Sequence, residues 1–398
     1  MTALLVRISG RDQTGINAGV LEILDQSAAR LIDMEQVVVR DRIHCGMLIE
    51  IDEERSPLKE LLYFGWQKGV SVEFEIVESV DVGPLPPRFA VTVMGSSLAP
   101  GAVAGVANAV SDSGGNIERI SQLSRYPVVS YEMLVVGGDL EAMRAALLRA
   151  SHEHLVDVAI QAEGLARRAK RLVVIDMDST LVQDEVIDLL AAEAGVADEV
   201  AELTRLAMEG ATDYATALRD RVALLAGTPE DALERVAAKI RLTPGARTFV
   251  RTLRRLGYTT AVVSGGFQYF ADHVKEQIGL DHAFANTLER EGGVLTGNLE
   301  GRLIDGPGKA AILAEIAASE HIGLEQTVAV GDGANDLEML SAAGLGIAFN
   351  AKPAAVAAAD TSVNVPYLDA LLFILGIRRD DIEEADRRDG HDGGYPAV

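Results

Sequence analysis

Apolar and polar positions in residues 1–164 follow an order of strand, helix, strand, strand, helix and strand, and this order occurs twice. Alternating apolar residues predict the strands, and apolar residues three or four positions apart predict the helices. The first copy spans residues 1–82 and the second spans residues 88–164, with the proline-rich segment 83–88 as a linker. Each copy is therefore predicted to fold as a ferredoxin-like βαββαβ sandwich.

A different pattern begins at Leu172, where short apolar strands alternate with amphipathic helices over residues 171–378. This pattern is typical of a parallel α/β sheet covered by helices on both faces, and ligands of such sheets bind at the carboxyl ends of the strands. An insertion at about residues 197–241 contains three predicted helices and is predicted to form a small cap. Residues 379–398 are acidic, lack an apolar pattern and are predicted to form a loose tail.

The charge balance limits what the chain can bind. Sixty acidic residues against 36 basic ones give a formal net charge of -24, which argues against partners such as nucleic acid or an anionic membrane. An anionic substrate must therefore be attracted by a local cluster of cations or by a metal ion. The single cysteine, Cys45, cannot form a disulfide within the chain, and no apolar run is long enough for a signal peptide or a membrane span. We therefore expect a cytoplasmic protein.

Two aspartates, Asp176 and Asp178, stand at the end of the first strand of the α/β region. Residues two apart on an extended chain point the same way, so both carboxylates can face one pocket. Such a pair repels unless a cation lies between the carboxylates or one of them takes a proton. Both situations suit a phosphatase, in which one carboxylate attacks phosphorus and the other transfers protons. A pair of this kind can also cap a helix or decorate a loop.

Polar residues also follow the next strand and open a later helix. Ser264 and Gly265 end an apolar strand, where a hydroxyl and glycine amides could hold phosphate oxygens, although an ordinary helix cap would look the same. Lys309 opens a helix, where its charge opposes the helix dipole and therefore suggests a bound anion. The surrounding segment lacks the glycine spacing of a nucleotide-binding Walker loop.

A fourth strand breaks into a glycine-rich acidic loop at residues 331–336. Asp332 can supply an oxygen ligand to Mg²⁺, which prefers carboxylates, water and phosphate oxygens. Asn335 and Asp336 could orient that ligand or a phosphate oxygen from just outside it. An acidic turn that only caps the following helix is the alternative.

These four segments occur in the order and strand context of the motifs of the haloacid dehalogenase superfamily, which the region 171–378 resembles. The resemblance implies a Rossmann-like α/β domain in which Asp176 is the nucleophile and Asp178 is the acid and base. It also implies that Ser264 and Lys309 hold the phosphoryl group. The expected cofactor is Mg²⁺, bound by Asp176, Asp332 and the backbone carbonyl of Asp178.

The cap and the loop after the nucleophile resemble those of the phosphoserine phosphatase family. The matching residues are Glu185, Met208, Tyr214 and Arg221, with tyrosine at a position where phenylalanine is also common. Glu185 suits the ammonium of phosphoserine, and Arg221 suits its carboxylate. Pairing of Arg221 with Asp220 or Glu185 is the structural alternative.

The N-terminal repeats resemble ACT domains, modules that bind amino acids at an interface between two copies. The most specific segment is the turn 12–15, where Asp12 and Gly15 stand and the glycine allows close approach of a ligand to the backbone. The turn 96–101 of the second repeat keeps a glycine, Gly101, but has no aspartate. Tight turns without a ligand are the alternative for both glycines.

The resemblances together predict an enzyme that hydrolyses O-phospho-L-serine to L-serine and phosphate through an aspartyl-phosphate, as the last step of serine biosynthesis. They also predict a homodimer that L-serine regulates at the ACT-like repeats. Two alternatives stay open at this point: a phosphomonoesterase of broader specificity, and an amino-acid-sensing module without catalysis.

Overall fold

The computed structural model describes residues 2–52, 55–77, 86–208 and 213–391, with the side chain of Met208 excepted. The chain divides into two compact units, Met1–Leu85 and Pro86–Val398. No helix among the described residues has the length and the apolar character to cross a membrane.

The first unit is a four-stranded antiparallel sheet with two helices, in the strand order β2-β3-β1-β4. Alternate residues of the inner strand β3 are buried, from Ile43 to Ile51, and Cys45 is a buried free thiol within that row. Its elements are β1 (Thr2–Arg11), α1 (Ile16–Gln26), β2 (Arg30–Val39), β3 (Arg42–Ile51), α2 (Leu58–Lys68) and β4 (Val70–Val77).

The second unit begins with a domain of the same topology, whose sheet has the corresponding order β6-β7-β5-β8. The predicted repeat of two ferredoxin-like βαββαβ domains is confirmed. Its elements are β5 (Arg88–Gly95), α3 (Pro100–Asp112), β6 (Gly115–Ser124), β7 (Val129–Gly137), α4 (Leu140–His154) and β8 (Asp157–Ala162).

A short helix, α5 (Leu165–Arg168), leads into a seven-stranded sheet of order β12-β11-β10-β9-β13-β14-β15. Each pair of neighbours is parallel except β11 and β12. The first strand of the domain, β9, lies in the middle, so the chain leaves it toward both edges and creates a crevice at its carboxyl end. The strands are β9 (Leu172–Ile175), β10 (Thr259–Phe267), β11 (His282–Glu291), β12 (Val294–Glu300), β13 (Thr327–Gly331), β14 (Gly346–Phe349) and β15 (Thr361–Val363).

Helices connect these strands, and three of them, α7 to α9, form the predicted cap. Side-chain caps set two important starts: Asp213 accepts from Thr216 N before α8, and Asp305 accepts from Gly308 N before α12. The helices are α6 (Val186–Ala194), α7 (Ala197–Met208), α8 (Tyr214–Ala223), α9 (Asp231–Ala237), α10 (Ala246–Arg255), α11 (Gln268–Ile278), α12 (Gly306–Ser319), α13 (Leu337–Ala342), α14 (Pro353–Ala358), α15 (Leu371–Ile374) and α16 (Arg379–Arg388).

The second ACT-like domain shares a hydrophobic core with the α/β domain. Met94 and Ala159 belong to the same buried cluster as Val173 of β9. The buried carboxylate of Asp157 accepts hydrogen bonds from the backbone N–H groups of Asn364 and Val365 at 2.8 and 3.1 Å. These two domains are therefore one packed body.

The C-terminal segment differs from the prediction. Residues 379–388 form α16, so the expectation of a loose tail over 379–398 was wrong for this part, and residues 392–398 lie outside the described residues. Ion pairs hold the helix in place of an apolar stripe: buried Asp386 binds Arg251 at 2.6 Å and Arg255 at 2.5 Å. These partners are more than 130 positions earlier in the chain, so a pattern search within the tail could not find them.

Candidate active site

The predicted catalytic residues meet at the carboxyl ends of the central strands. Asp176 follows β9, Asp332 follows β13, and Ser264 lies near the end of β10. Because β9 pairs with both β10 and β13, these ends are neighbours. The crevice beside β9 is where a ligand of an open α/β sheet binds.

Lys309 lies in the first turn of α12 and is completely buried. Its Nζ donates to Asp176 Oδ1 at 2.6 Å and to Asp336 Oδ1 at 2.8 Å. Burial alone would lower the pKa of Lys309, but the two carboxylates outweigh burial and raise it. The lysine is therefore a permanent cation that fixes the orientation of Asp176.

Asp178 is held on both oxygens. Its Oδ1 accepts from Val186 N at 2.8 Å, and its Oδ2 accepts from Ser264 Oγ at 3.1 Å. Burial, followed by the charge of Glu185, raises the pKa of Asp178 to about 7. A carboxyl group with this pKa can both give and take a proton near neutral pH.

Ser264 and Gly265 lie inside β10, which continues to Phe267. The sequence analysis places both residues at the end of an apolar strand, and this agrees with α11 beginning only at Gln268. An irregularity in the pairing of β10 with β11, between Val263 and Phe267, opens the strand at this point. Gly266 N donates to Ser264 Oγ at 2.8 Å, so the serine hydroxyl is the acceptor for a backbone N–H group in this irregular part of the strand.

Three buried carboxylates, from Asp176, Asp332 and Asp336, each place an oxygen within 4.8 Å of the others. Asp336 accepts hydrogen bonds on both oxygens, because its Oδ2 accepts from Asp332 N and Gly333 N while its Oδ1 accepts from Lys309 Nζ. Among the described residues, Asp332 accepts one hydrogen bond on its carboxylate, from Thr180 Oγ1 at 3.1 Å. Asp176 and Asp332 are therefore the carboxylates of this cluster with an oxygen that accepts no hydrogen bond from a described residue.

The charge of this cluster also fits a divalent cation. Three buried carboxylates and the half-buried carboxylate of Asp178 surround one buried ammonium of the described residues, that of Lys309. Burial, then repulsion from Asp336, raises the pKa of Asp332 to about 6, and burial likewise raises the pKa of Asp176. Carboxylate oxygens are the ligands that Mg²⁺ prefers, and such an ion would neutralise the excess negative charge.

A cavity of about 720 Å³ opens between this cluster and the cap. Glu185, Tyr214, Arg221, Gly265 and Asn335 all line it, together with Asp176 and Asp178, while Ser264 and Lys309 lie beneath its surface. A volume of this size is within the range of small-molecule sites, roughly 300–1,000 Å³.

The cap supplies a cation that is not neutralised. Arg221 donates to Ala217 O at 3.2 Å and to Thr204 Oγ1 at 3.4 Å, and it forms no ion pair with a carboxylate of the described residues. The alternative, in which Arg221 pairs with Asp220 or Glu185, is therefore not observed. Glu185 accepts instead from Ser179 Oγ at 2.8 Å. The side chain of Met208 lies outside the described residues, although its neighbour Ala207 lines the cavity.

Gly265 lies in close contact with Tyr214 in the wall of the cavity. A Cβ built on it would lie 2.0 Å from Tyr214 Oη and 3.7 Å from Asn335 Nδ2. The tyrosine hydroxyl donates to Gly265 O at 3.4 Å, and burial raises the pKa of Tyr214 to about 12, so it stays protonated. Only glycine leaves this approach open.

Three cavity or cluster residues escaped the sequence reasoning: Thr180, Asp188 and Lys352. Thr180 belongs to the segment after Asp176 and could have been singled out there. Asp188 is three positions after Glu185, hence on the same face of α6. Lys352 follows the end of β14, which the strand-end rule would have indicated.

The candidate regulatory residues of the two ACT-like domains lie in different backbone conformations. Gly15 has the left-handed conformation (φ 86°) directly before α1, and Asp12 is exposed in the same turn, where its N–H donates to Asp41 O at 2.7 Å. Gly101 instead lies within α3, and nothing is within 4 Å of a Cβ built there. Ala99, which precedes α3, is the positional counterpart of Gly15.

Comparison of the sequence and structure with known proteins identifies the family of this chain. The haloacid dehalogenase-like hydrolase family matches residues 173–341, and ACT domain families match residues 2–75 and 88–161. A phosphoserine phosphatase of Streptomyces coelicolor is 48% identical over 388 residues, which are 96% of this chain and 94% of that protein. The chain belongs to the phosphoserine phosphatase family.

Two further similar proteins support this assignment to the family. A phosphoserine phosphatase of Mycobacterium tuberculosis is 42% identical and covers 97% of this chain and 96% of its own length. A solved structure of a probable phosphoserine phosphatase from Vibrio cholerae is 35% identical, covers 75% of this chain and 88% of its own, and has a TM-score of 0.59. The predicted haloacid dehalogenase and ACT resemblances are thereby confirmed.

Proposed function

We propose that this chain hydrolyses O-phospho-L-serine to L-serine and phosphate with the help of Mg²⁺, as the last step of serine biosynthesis. The observation that carries the proposal is the cavity lined by Arg221 and Glu185 opposite Asp176 and Asp178. A free guanidinium and a carboxylate match the carboxylate and the ammonium of the amino acid. The names of the relatives support the same substrate.

Asp176 is the proposed nucleophile. Its Oδ1 accepts from Lys309 Nζ and from Met177 N, whereas its Oδ2 accepts no hydrogen bond from the described residues. A bond forms between this carboxylate and phosphorus, and the bond from phosphorus to the serine oxygen breaks. Asp178, protonated at this stage, gives its proton to the leaving serine oxygen.

Asp178 then takes a proton from a water molecule, which attacks phosphorus and releases phosphate from Asp176. Ser264 fixes the orientation of Asp178, and Gly265, Asn335 and Lys309 are proposed to hold the phosphoryl oxygens. Met208 and Tyr214 are proposed to pack against the substrate from the cap.

Asp176, Asp332 and the backbone carbonyl of Asp178 would hold Mg²⁺, with Asp336 orienting the loop that carries Asp332. The ion would supply neutralisation of the charge that develops on the phosphoryl oxygens. Exhaustive dialysis against a chelator should abolish phosphate release, and added Mg²⁺ should restore it.

The test of the activity is phosphate release from O-phospho-L-serine by the full chain and by Asp176→Asn. The wild-type chain should turn over, and the variant should be inactive while its thermal midpoint is unchanged within a few degrees, because an amide cannot attack phosphorus. Near-normal activity of Asp176→Asn would remove it as the nucleophile. A panel of sugar and nucleotide phosphates separates this proposal from a broader phosphomonoesterase, which would use them equally well.

We also propose that L-serine binds the turn at Asp12 and Gly15 and regulates a homodimer. The ACT families matched at residues 2–75 and 88–161 support amino-acid binding. A regulator must bind one state better than another. The test is to titrate L-serine into the full chain and into Asp12→Ala, and to measure inhibition and the mass from light scattering. If both proteins are inhibited equally and keep the same mass, serine acts only as an inhibiting product.

A further inference from the structure

The charge of the cavity wall is unfavourable for an anionic substrate. Five carboxylates line the cavity, and the cationic side chains among its described lining residues are Arg221 and Lys352, with Lys309 buried beneath the surface against Asp176. The carboxylates are those of Asp176, Asp178, Glu185, Asp188 and Asp332. The whole chain carries a formal charge of -24, so a phosphate ester approaches against a repulsive field. Each cation at the cavity therefore has a large influence on binding.

Arg221 and Lys352 lie on different walls. Arg221 belongs to the cap helix α8, whereas Lys352 follows β14 and directly precedes α14. The backbone N–H of Lys352 donates to the carbonyl of Asp332 at 2.9 Å. Lys352 thus belongs to the cavity wall that the carboxyl ends of the central strands form, beside the groups that would hold the phosphoryl group.

The backbone at Lys352 is fixed while its side chain is exposed and forms no ion pair with a described residue. Asn350 N donates to Val363 O at 2.8 Å, which ties the loop to β15. Thr361 of β15 in turn donates through Oγ1 to Val158 O of the second ACT-like domain at 3.1 Å. The backbone that carries Lys352 is therefore fixed at the cavity, and its ammonium forms no ion pair with a described residue.

Lys352 and Asp332 both line the cavity and are joined through their backbones. The positive charge of Lys352 therefore belongs to the part of the wall that the phosphoryl group must approach.

We propose that Lys352 is a further substrate-recognition residue, whose ammonium attracts and holds the phosphoryl group at the wall opposite the cap. This inference rests on the proposed hydrolysis of phosphoserine and adds a second cation to the recognition by Arg221. Because the contact is the same before and during the reaction, Lys352 acts on KM and leaves kcat nearly unchanged.

The test compares Lys352→Gln, Lys352→Arg and Lys352→Glu in the full chain at low and high salt. Lys352→Gln should lower kcat/KM about three- to tenfold at low ionic strength, with kcat within about twofold. Lys352→Glu should lower it further, and Lys352→Arg should retain most of the wild-type value. The loss should shrink at about 0.5 M salt, where the screening length falls to a few ångströms.

Lys275→Gln is the matched control, because it removes the same charge from α11 at a position that does not line the cavity. It should leave kcat/KM within about twofold at both salt concentrations. The proposal is overturned if Lys352→Gln and Lys275→Gln have equal effects, or if the loss appears in kcat and does not depend on salt.

Titration with inorganic phosphate separates this inference from the proposed function. Lys352→Gln should weaken phosphate binding by a similar factor, and unchanged phosphate affinity would overturn the role of Lys352 even if phosphoserine is the substrate. If the wild-type chain does not hydrolyse phosphoserine, the proposed function fails, and the phosphate titration still decides whether Lys352 binds the phosphoryl group.

Discussion

Gly265→Ala should block the cavity through a single contact with the cap. The new Cβ would lie 2.0 Å from Tyr214 Oη, and a Cβ essentially never lies within 3.0 Å of another heavy atom. The hydroxyl, and the end of α8 that carries it, must therefore move by about 1 Å, a displacement that can cost about 100-fold in rate. We expect kcat/KM for phosphoserine to fall by about that factor.

The same substitution should barely change stability. Gly265 does not have a positive φ, so alanine is compatible with its backbone, and the free energy of unfolding should change by about 1 kcal/mol or less. Denaturant unfolding of the variant checks this. A large loss of stability would mean that the activity loss reports misfolding.

Tyr214→Phe tests whether contact with the tyrosine hydroxyl causes the loss of activity in Gly265→Ala. It removes Oη and only a long hydrogen bond of 3.4 Å to Gly265 O, so the single variant should stay within a few-fold of wild type. In the double variant the nearest tyrosine-derived atom is Cζ at 3.2 Å, a distance that a small shift relieves. Phosphate release by the four proteins gives the coupling directly. If Gly265→Ala costs the same in both backgrounds, the contact with the hydroxyl is not the cause.

The remaining predictions concern selectivity and stability. Arg221→Ala should lower kcat/KM for phosphoserine by about 30- to 100-fold, equivalent to roughly 2–3 kcal/mol, but spare a phosphate ester without a carboxylate; equal losses would make Arg221 structural. Asp386→Asn should lower the free energy of unfolding by about 2 kcal/mol, because Arg251 and Arg255 lose their acceptor. Burial raises the pKa of Asp386, but those arginines outweigh it and hold the folded-state pKa below its usual value. This contribution is therefore present above about pH 4 and is lost as the pH falls through the folded pKa; a difference that does not shrink as the pH falls below about 4 would contradict it. Asp157→Ala should cost about 2 kcal/mol in denaturant unfolding, since the backbone N–H groups of Asn364 and of buried Val365 lose their acceptor; a smaller cost than that of Asp139→Ala, an exposed helix cap, would refute this reasoning.

The sequence was most informative where one local pattern determines position. Asp176 and Asp332 stand directly after strongly apolar strands, and parallel strands of one sheet end at one edge, so their convergence could be predicted. Lys309 was expected to hold the phosphoryl group, because its charge opposes the dipole of α12, and this role stays a prediction. The anions that it binds in the structure are Asp176 and Asp336.

Local patterns failed where distant residues decide the outcome. The helix at 379–388 depends on ion pairs with α10, which no periodicity within the tail reveals. Gly101 was matched to Gly15 by counting glycines, whereas the structure places it inside α3.

The union of the second ACT-like domain with the catalytic domain restricts how regulation can work. The contact runs from β8 to β15, and β15 fixes the loop that carries Lys352 through Asn350 N and Val363 O. The same loop donates from Lys352 N to the carbonyl of Asp332. A ligand that prefers one arrangement of β8 therefore biases the wall that faces the phosphoryl group, whereas a ligand with equal affinity for both arrangements changes nothing. For a regulator acting at this domain, we expect the contacts of residues 350–363 to connect it to the active site, and the expected signature is a change in KM with little change in kcat.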